Sequence, residues 1–307
     1  MKQRLIAVAG PTASGKTSLA IGLAKEFGGE IVGADSMQIY KYMNIGTAKP
    51  TAEERAQAVH HMIDFLEPDA QYSVADYTRQ AHEVIADIAS RGALPIMCGG
   101  TGLYINSVVD DITFGEFETD YALRAELNAV AEKEGAQVLI DQLREFDPVS
   151  AERLHPNNLR RIIRALEFYR STGIPISEHQ ENTKRQESRY DPLLISIEWD
   201  RHKLYERINT RVDMMIEQGL FDEVRSLMER GYTDALNSMQ GIGYKEVIAC
   251  INGEMSFDDT VELMKQSSRR YAKRQLTWFR RDKRMKWVSA DNAAEEAKRL
   301  VYDTIHA

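Results

Sequence analysis

Hydrophobic residues along this chain follow two rhythms. In the first third, short unbroken apolar runs alternate with longer amphipathic stretches. Residues 5–9 (LIAVA), 30–33 (EIVG), 61–65 (HMIDF) and 94–98 (LPIMC) read as buried strands. Between them, residues 18–25 (SLAIGLAK) read as a helix. Ser73, with Asp76 at the capping-box position, starts another that runs through Tyr77, Ala81, Val84, Ile85 and Ile88 to Gly92. Strands apolar on both faces and separated by helices predict a parallel sheet with crossover helices, with ligands at the strand carboxyl ends.

From about residue 115 to 190 the strand pattern stops. Thr119 is the expected cap of a helix carrying Leu123, Leu127 and Val130. A second helix carries Val138, Leu139 and Leu143 and stops at Asp147-Pro148. A third carries Leu159, Ile162, Ile163, Leu166 and Tyr169 and ends at Gly173. The polar stretch from His179 to Arg189 reads as a mobile return. Residues 193–197 (LLISI) then restore the strand pattern, Asp200 caps a helix, Gly219 interrupts it, and 257–264 and 271–279 read as separate helical pieces. The expected fold is α/β: a P-loop NTPase-like parallel sheet flanked by helices, with an inserted all-helical subdomain and a helical C-terminal part. The expected domains are 1–114 plus 191–307 as the core, and 115–190 as a helical insertion.

Composition narrows the class. The chain has 307 residues, enough for a substantial core, and only two cysteines, Cys98 and Cys250. No apolar run is long enough to cross a bilayer and no signal-peptide pattern is present, so a cytoplasmic monomer with no membrane partner is expected. The net charge of −8 argues against nucleic-acid binding by the whole surface. Yet residues 265–286 hold ten cations against one acid, Asp282, and that segment contains Tyr271, Trp278 and Phe279. Cations neutralise phosphates and aromatic faces stack on unpaired bases, so a local RNA footprint competes with a solvated basic helix. Arg160, Arg161 and Arg164 form a second cluster with the same two readings.

The sharpest motif is Gly10, Pro11, Thr12, Ala13, Ser14, Gly15, Lys16 and Thr17, set between a strand and a helix. This is a P-loop. Its glycines admit a polyphosphate close to the backbone, its N–H groups supply donors, Lys16 adds charge, and the Thr17 hydroxyl can ligate Mg²⁺. It specifies a diphosphate or triphosphate without saying whether that group belongs to ATP. The strand expected to end in a magnesium-holding aspartate ends instead in Cys98-Gly99-Gly100-Thr101. That shifts the reading toward transfer of something other than a phosphoryl group.

Three further residues are candidates. Asp35 follows a strand end beside the P-loop, where a carboxylate can act as general base; a cap or an outer magnesium ligand is the plainer role. Thr101 can bind a phosphate oxygen or the reacting group, or simply cap a helix. Arg211 can grip a phosphate or sit in solvent.

The ordered segments GPTASGKT (10–17), ADSMQIY (34–40), NIGTAKP (44–50), HHMID (60–64), GGTGLY (99–104), RALE (164–167), QGIGYKE (240–246) and KRQLTWFR (273–280) together resemble the tRNA dimethylallyltransferase family, in its bacterial form without a C-terminal zinc finger. The resemblance implies transfer of a dimethylallyl group from dimethylallyl diphosphate to the exocyclic amine of the adenosine 3′ to the anticodon of tRNA, with Mg²⁺. It implies Asp35 as base, Thr101 as positioning the amine and diphosphate, and Lys16 and Arg211 as diphosphate ligands. The base-flipping logic of such enzymes would place the adenine on Asp35, Ser36, Met37 and Gln38. Implied tRNA-facing positions are Arg124, Asn158, Leu159, Arg160, Arg161, Ile162, Arg274, Trp278 and Arg281. Two alternatives remain: an ATP-dependent small-molecule or nucleoside kinase, and an RNA-binding switch gated by a nucleotide.

Overall fold

The protein is described by a computed structural model covering residues 2–114, 120–185 and 187–306. Six strands among these residues form one parallel sheet: β1 (Gln3–Ala9), β2 (Gly29–Gly33), β3 (His60–His61), β4 (Leu94–Gly99), β5 (Tyr190–Glu198) and β6 (Lys286–Ser289). The order across the sheet is β3-β2-β4-β1-β5-β6. Contacts divide the chain into one unit of residues 1–109 and 188–307 and another of 110–187.

The alternation of β1 shows why the sheet needs two covering layers. Leu5, Ala7 and Ala9 enter one buried cluster, with Tyr77, Ala81, Ile85 and Ile88 of helix Val74–Ser90. Ile6 and Val8 enter the opposite one, with Leu19, Leu23 and Ala24 of helix Lys16–Phe27 and Val301 of helix Ala293–His306. Successive strand side chains point to opposite faces, so a strand apolar at every position must be covered on both. The neighbours β2, β4, β1 and β5 thereby bring Asp35, the turn at residues 99–101, the P-loop and Trp199 to the same sheet edge.

Several expectations need correction. β3 is two residues long, not five, because the chain turns at Met62 and Asp64, both at φ 59°. Asp64 is held there by the buried Lys49 ammonium at 2.6 Å. The two C-terminal pieces are one helix, Phe257–Phe279, since the polar residues 265–270 break the apolar period without supplying a helix breaker. β6, a short strand bordered by charges, carried no alternating signal.

In the second unit, helices Tyr121–Glu134, Ala136–Arg144 and Leu159–Thr172 pack Leu127, Leu139, Leu143, Ile162 and Leu166 into a separate core. Thr119 lies outside the described residues, and the cap is Asp120, whose carboxylate accepts the Leu123 N–H. Helix Ala136–Arg144 ends before Asp147-Pro148, as expected, and Pro148 then opens a further short helix, Pro148–Arg153, capped by Asp147. The expected mobile return is helical from Ile176 to Arg185.

Candidate active site

The P-loop is held open by side chains from outside it. Arg207 Nε donates to the Ala13 carbonyl at 2.9 Å, and Trp199 Nε1 donates to the Ser14 carbonyl at 2.9 Å. The Arg207 guanidinium lies 4.5 Å from the Trp199 ring centroid, so the two braces stiffen each other. With these carbonyls turned outward, the loop N–H groups are left for an anion. Ala13 at φ 61° and Gly15 at φ 89° supply the left-handed steps that curl such a nest. Gly15 takes this conformation at no steric cost, whereas Ala13 stores strain of about 1 kcal/mol.

A cavity of about 650 Å³ opens beside the loop, lined by Lys16 and Thr17 on one side and Lys203, Arg207 and Arg211 on the other. That is ample room for a diphosphate carrying a small apolar tail. Burial, reinforced by the nearby Arg211 charge, lowers the Lys16 pKa. Burial likewise lowers that of Arg211, with the Asp35 carboxylate opposing. Lys16 Nζ donates to the Pro11 carbonyl at 3.2 Å. Two desolvated cations facing one cavity repel each other and call for an anionic ligand. Arg211 is therefore not in bulk solvent but at the P-loop cavity.

Asp35 Oδ1 accepts the Met37 N–H at 2.9 Å, which closes a tight turn after β2 and fixes the carboxylate. The Thr101 hydroxyl accepts the Ser36 N–H at 2.9 Å and donates to Ser36 Oγ at 3.2 Å. Its side chain thus pins the β2 turn, while its carbonyl accepts the Ile105 N–H at 3.2 Å at the start of helix Gly102–Val109. Tyr271 hydrogen-bonds the same threonine; burial and Asp35 push its phenol pKa upward. Gln38 donates both amide hydrogens, to the Thr47 carbonyl at 3.1 Å and the Ala48 carbonyl at 2.9 Å.

A magnesium ion fits this site in a limited way. Thr17 lines the cavity and offers one hydroxyl oxygen, and no group of three acidic, histidine or cysteine ligands occurs among the described residues. The donor set suits a Mg²⁺ held mostly by diphosphate oxygens and water, its common habit at phosphate sites.

The implied RNA-facing positions divide. In the first unit Arg274 and Arg281 are exposed, and Trp278 is 38% exposed with its indole N–H on Asn106 Oδ1 at 2.8 Å. In the second unit Asn158, Arg160 and Arg161 are exposed and Leu159 is half-buried. Ile162 is fully buried in that unit's core, so its side chain does not face RNA. Arg124 forks onto the buried Glu167 carboxylate at 3.0 and 2.9 Å, and Arg164 reaches the same group at 3.1 Å. These two half-exposed arginines neutralise a buried carboxylate, which gives both a structural role.

Sequence reasoning missed Trp199, Arg207 and Gln275, and read Tyr271 only as an aromatic of the basic segment. Each acts through a neighbour's backbone or hydroxyl, and no motif spacing encodes that. Gln275 stood inside the quoted segment 273–280, which was the one signal available.

Comparisons with known proteins agree with this geometry. A family model described as IPP transferase matches residues 38–282. The chain is 48% identical to a tRNA dimethylallyltransferase of Acetivibrio thermocellus, over 96% of this chain and 94% of that one. It is 48% identical to its counterpart from Caldanaerobacter subterraneus, over 99% and 98%. Among solved structures, the tRNA isopentenylpyrophosphate transferase of Bacillus halodurans matches with a TM-score of 0.74 at 41% identity, covering 99% of this chain and 97% of that one. A eukaryotic dimethylallyltransferase acting on tRNA matches with a TM-score of 0.87 at 29% identity, covering 99% and 80%. The chain belongs to the tRNA dimethylallyltransferase, or IPP transferase, family.

Proposed function

We propose that the protein transfers the dimethylallyl group of dimethylallyl diphosphate to tRNA, onto the exocyclic amine of the adenosine 3′ to the anticodon. The observation that carries the reading is the pairing of a P-loop cavity, with Lys16 and Arg211 inside it, and Asp35 at the end of β2, two strands from β1 and close enough for its charge to act on both cations. The amine nitrogen attacks the allylic carbon, a C–N bond forms, the C–O bond to the diphosphate breaks, and the amine proton passes to Asp35. Lys16, Arg211 and the loop N–H groups take up the charge that develops on the departing diphosphate. A Mg²⁺ bound near Thr17 would add further positive charge to that leaving group. Thr101 holds the Asp35–Ser36 turn in place.

Arg160 and Arg161 in one unit, and Arg274, Trp278 and Arg281 in the other, are the positions we assign to tRNA. No helix among the described residues is long and apolar enough to cross a membrane. A monomer working in the cytoplasm is the setting this chemistry fits.

Incubation with labelled dimethylallyl diphosphate, Mg²⁺ and unmodified bulk tRNA, followed by nucleoside analysis, tests the reading. Label on adenosine with RNA-dependent diphosphate release supports it. Release of ADP from ATP with a phosphorylated small molecule would favour a kinase instead.

A further inference from the structure

Four apolar side chains line the cavity beside the P-loop: Ala13, Ala48, Trp199 and Met214. Ala13 and Trp199 belong to the loop's own brace around Arg207. Ala48 and Met214 reach the cavity from outside that brace. Met214 lies on helix Arg201–Glu217, two turns past Arg207 and on the same face. Its neighbours Val212, Met215 and Ile216 pack into one cluster with Ile39, Tyr40, Met43 and Ile45. This end of the helix therefore lies against the segment that carries Ala48.

Ala48 touches both halves of the reaction site. It lines the cavity together with Lys16 and Thr17, and its carbonyl accepts the Gln38 amide at 2.9 Å, three residues along from Asp35. Its own N–H donates to the Ile45 carbonyl at 2.9 Å. With both backbone polar groups spent on protein, Ala48 gives the cavity an apolar surface. The carbon to be transferred must lie between the diphosphate and the amine that Asp35 deprotonates. The rest of its tail needs an apolar wall at that junction.

The wall is also rigid. Ala48 sits at φ 48°, a left-handed conformation that a non-glycine residue keeps only when its surroundings impose it. Glu223 of helix Leu220–Glu229 imposes it from behind, since its carboxylate accepts the N–H groups of Asn44 at 2.9 Å, Ile45 at 2.8 Å and Gly46 at 3.2 Å. The buried Tyr244 hydroxyl donates to the same carboxylate at 2.7 Å, and a Cβ on Gly46 would lie 2.5 Å from the Tyr244 ring. A segment pressed onto a ring and held by three N–H bonds has no slack with which to admit a longer tail.

We propose that Ala48 and Met214 form the wall that receives the apolar tail of the allylic diphosphate, and that this wall, rather than the P-loop, sets the donor's chain length. The inference rests on the transferase reading above. An extra or missing methylene against an apolar wall is worth about tenfold or more in discrimination.

The test is calorimetric titration of the full-length protein with free diphosphate, dimethylallyl diphosphate and geranyl diphosphate, each with Mg²⁺. Wild type should bind dimethylallyl diphosphate more tightly than free diphosphate, and more tightly than geranyl diphosphate by about tenfold or more. Ala48→Leu should weaken dimethylallyl diphosphate by about tenfold and leave free diphosphate within about twofold of wild type. Met214→Ala, at a half-exposed helix position, should shift the ratio several-fold toward geranyl diphosphate. An Ala48→Leu protein that binds both dimethylallyl diphosphate and free diphosphate as wild type does overturns the role of Ala48. An unchanged ratio in Met214→Ala overturns that of Met214. Should Ala48→Leu lose free diphosphate as well, its fold is disturbed, and Met214→Trp, which narrows the same wall from the helix side, takes its place with the same two outcomes. Absence of label transfer from dimethylallyl diphosphate to tRNA by wild type would instead count against the transferase reading itself.

Discussion

Gln275 Nε2 donates to the Gly100 carbonyl at 2.9 Å, and the same amide accepts the Thr12 N–H at 3.0 Å. One side chain of helix Phe257–Phe279 therefore ties the P-loop to the turn that carries Thr101. The fit leaves no slack, because a Cβ on Gly100 would lie 2.2 Å from Gln275 Nε2. Gln275→Leu fills similar volume but leaves two backbone groups without partners. We expect about a tenfold or greater loss in affinity for dimethylallyl diphosphate and a lowered melting temperature. Calorimetric donor titration checks this; unchanged affinity would mean that the P-loop holds its shape without the tie.

Lys16 reads phosphate rather than the five-carbon tail. Lys16→Ala should weaken binding of dimethylallyl diphosphate and of free diphosphate alike, by about 10- to 100-fold, the worth of a charge-assisted contact. A pH dependence follows with a definite sign. In the free protein the lysine's pKa is lowered by burial and by Arg211, and a bound diphosphate raises it again. Affinity should be highest below the lowered pKa and fall as pH rises through it. Titrations across alkaline pH should show this fall in wild type and a flatter profile in Lys16→Ala.

The Arg124–Glu167–Arg164 cluster makes a stability prediction in the helical unit. Burial alone would raise the Glu167 pKa, but the two arginine contacts outweigh it and hold the carboxyl below its usual range. A depressed carboxylate contributes stability above its unfolded pKa and loses it as pH falls through the folded one. Arg124→Ala should cost about 1–3 kcal/mol near neutral pH and flatten the acid limb of unfolding, because the Glu167 carboxyl is then less depressed. Hydrogen exchange at residues 121–172 would locate the loss. Wild-type protection there would show that Arg124 is dispensable to the fold and free to serve another role.

Surface cations of the long helix carry the RNA prediction. Arg269 is spent on Asn209 and Lys265 on Asp213, so they are poor test sites. Lys273, Arg274 and Arg281 are exposed. Replacing these three with alanine should lower the slope of log affinity for tRNA against log salt by about 1–3 units, at roughly 0.7–0.9 per phosphate contact. Donor binding should not change. A folded triple mutant with the wild-type slope would move the main footprint to Arg160 and Arg161.

How far the sequence could be read follows from the kind of signal each element carries. β1 and the P-loop were legible because a run apolar at every position and a fixed motif each depend on nearest neighbours in the chain. Asp35 and Thr101 could be placed at strand ends, but their coupling through Ser36 depends on β2 and β4 lying side by side, which no local pattern states. Helix Phe257–Phe279 looked like two pieces because its middle, residues 265–270, is polar throughout and breaks the apolar period. Ile162 looked RNA-facing by resemblance although its 3.6-residue period with Ile163 and Leu166 already assigned it to a core. Gln275 and Glu223 were invisible for a common reason: both act by hydrogen-bonding the backbone of distant segments, and such contacts put no constraint on the partner's side chain.

Single-turnover transfer by Asp35→Asn is the most direct measurement of the central claim, that one cleft holds both the diphosphate cradle and the base that frees the amine. With donor and tRNA both saturating, the predicted result is a chemical step slowed by roughly 10²–10⁴, the usual worth of a general base, with donor and tRNA affinities within a few-fold of wild type. A chemical step near the wild-type rate would contradict the account and leave Asp35 as no more than the residue that closes the turn onto Met37.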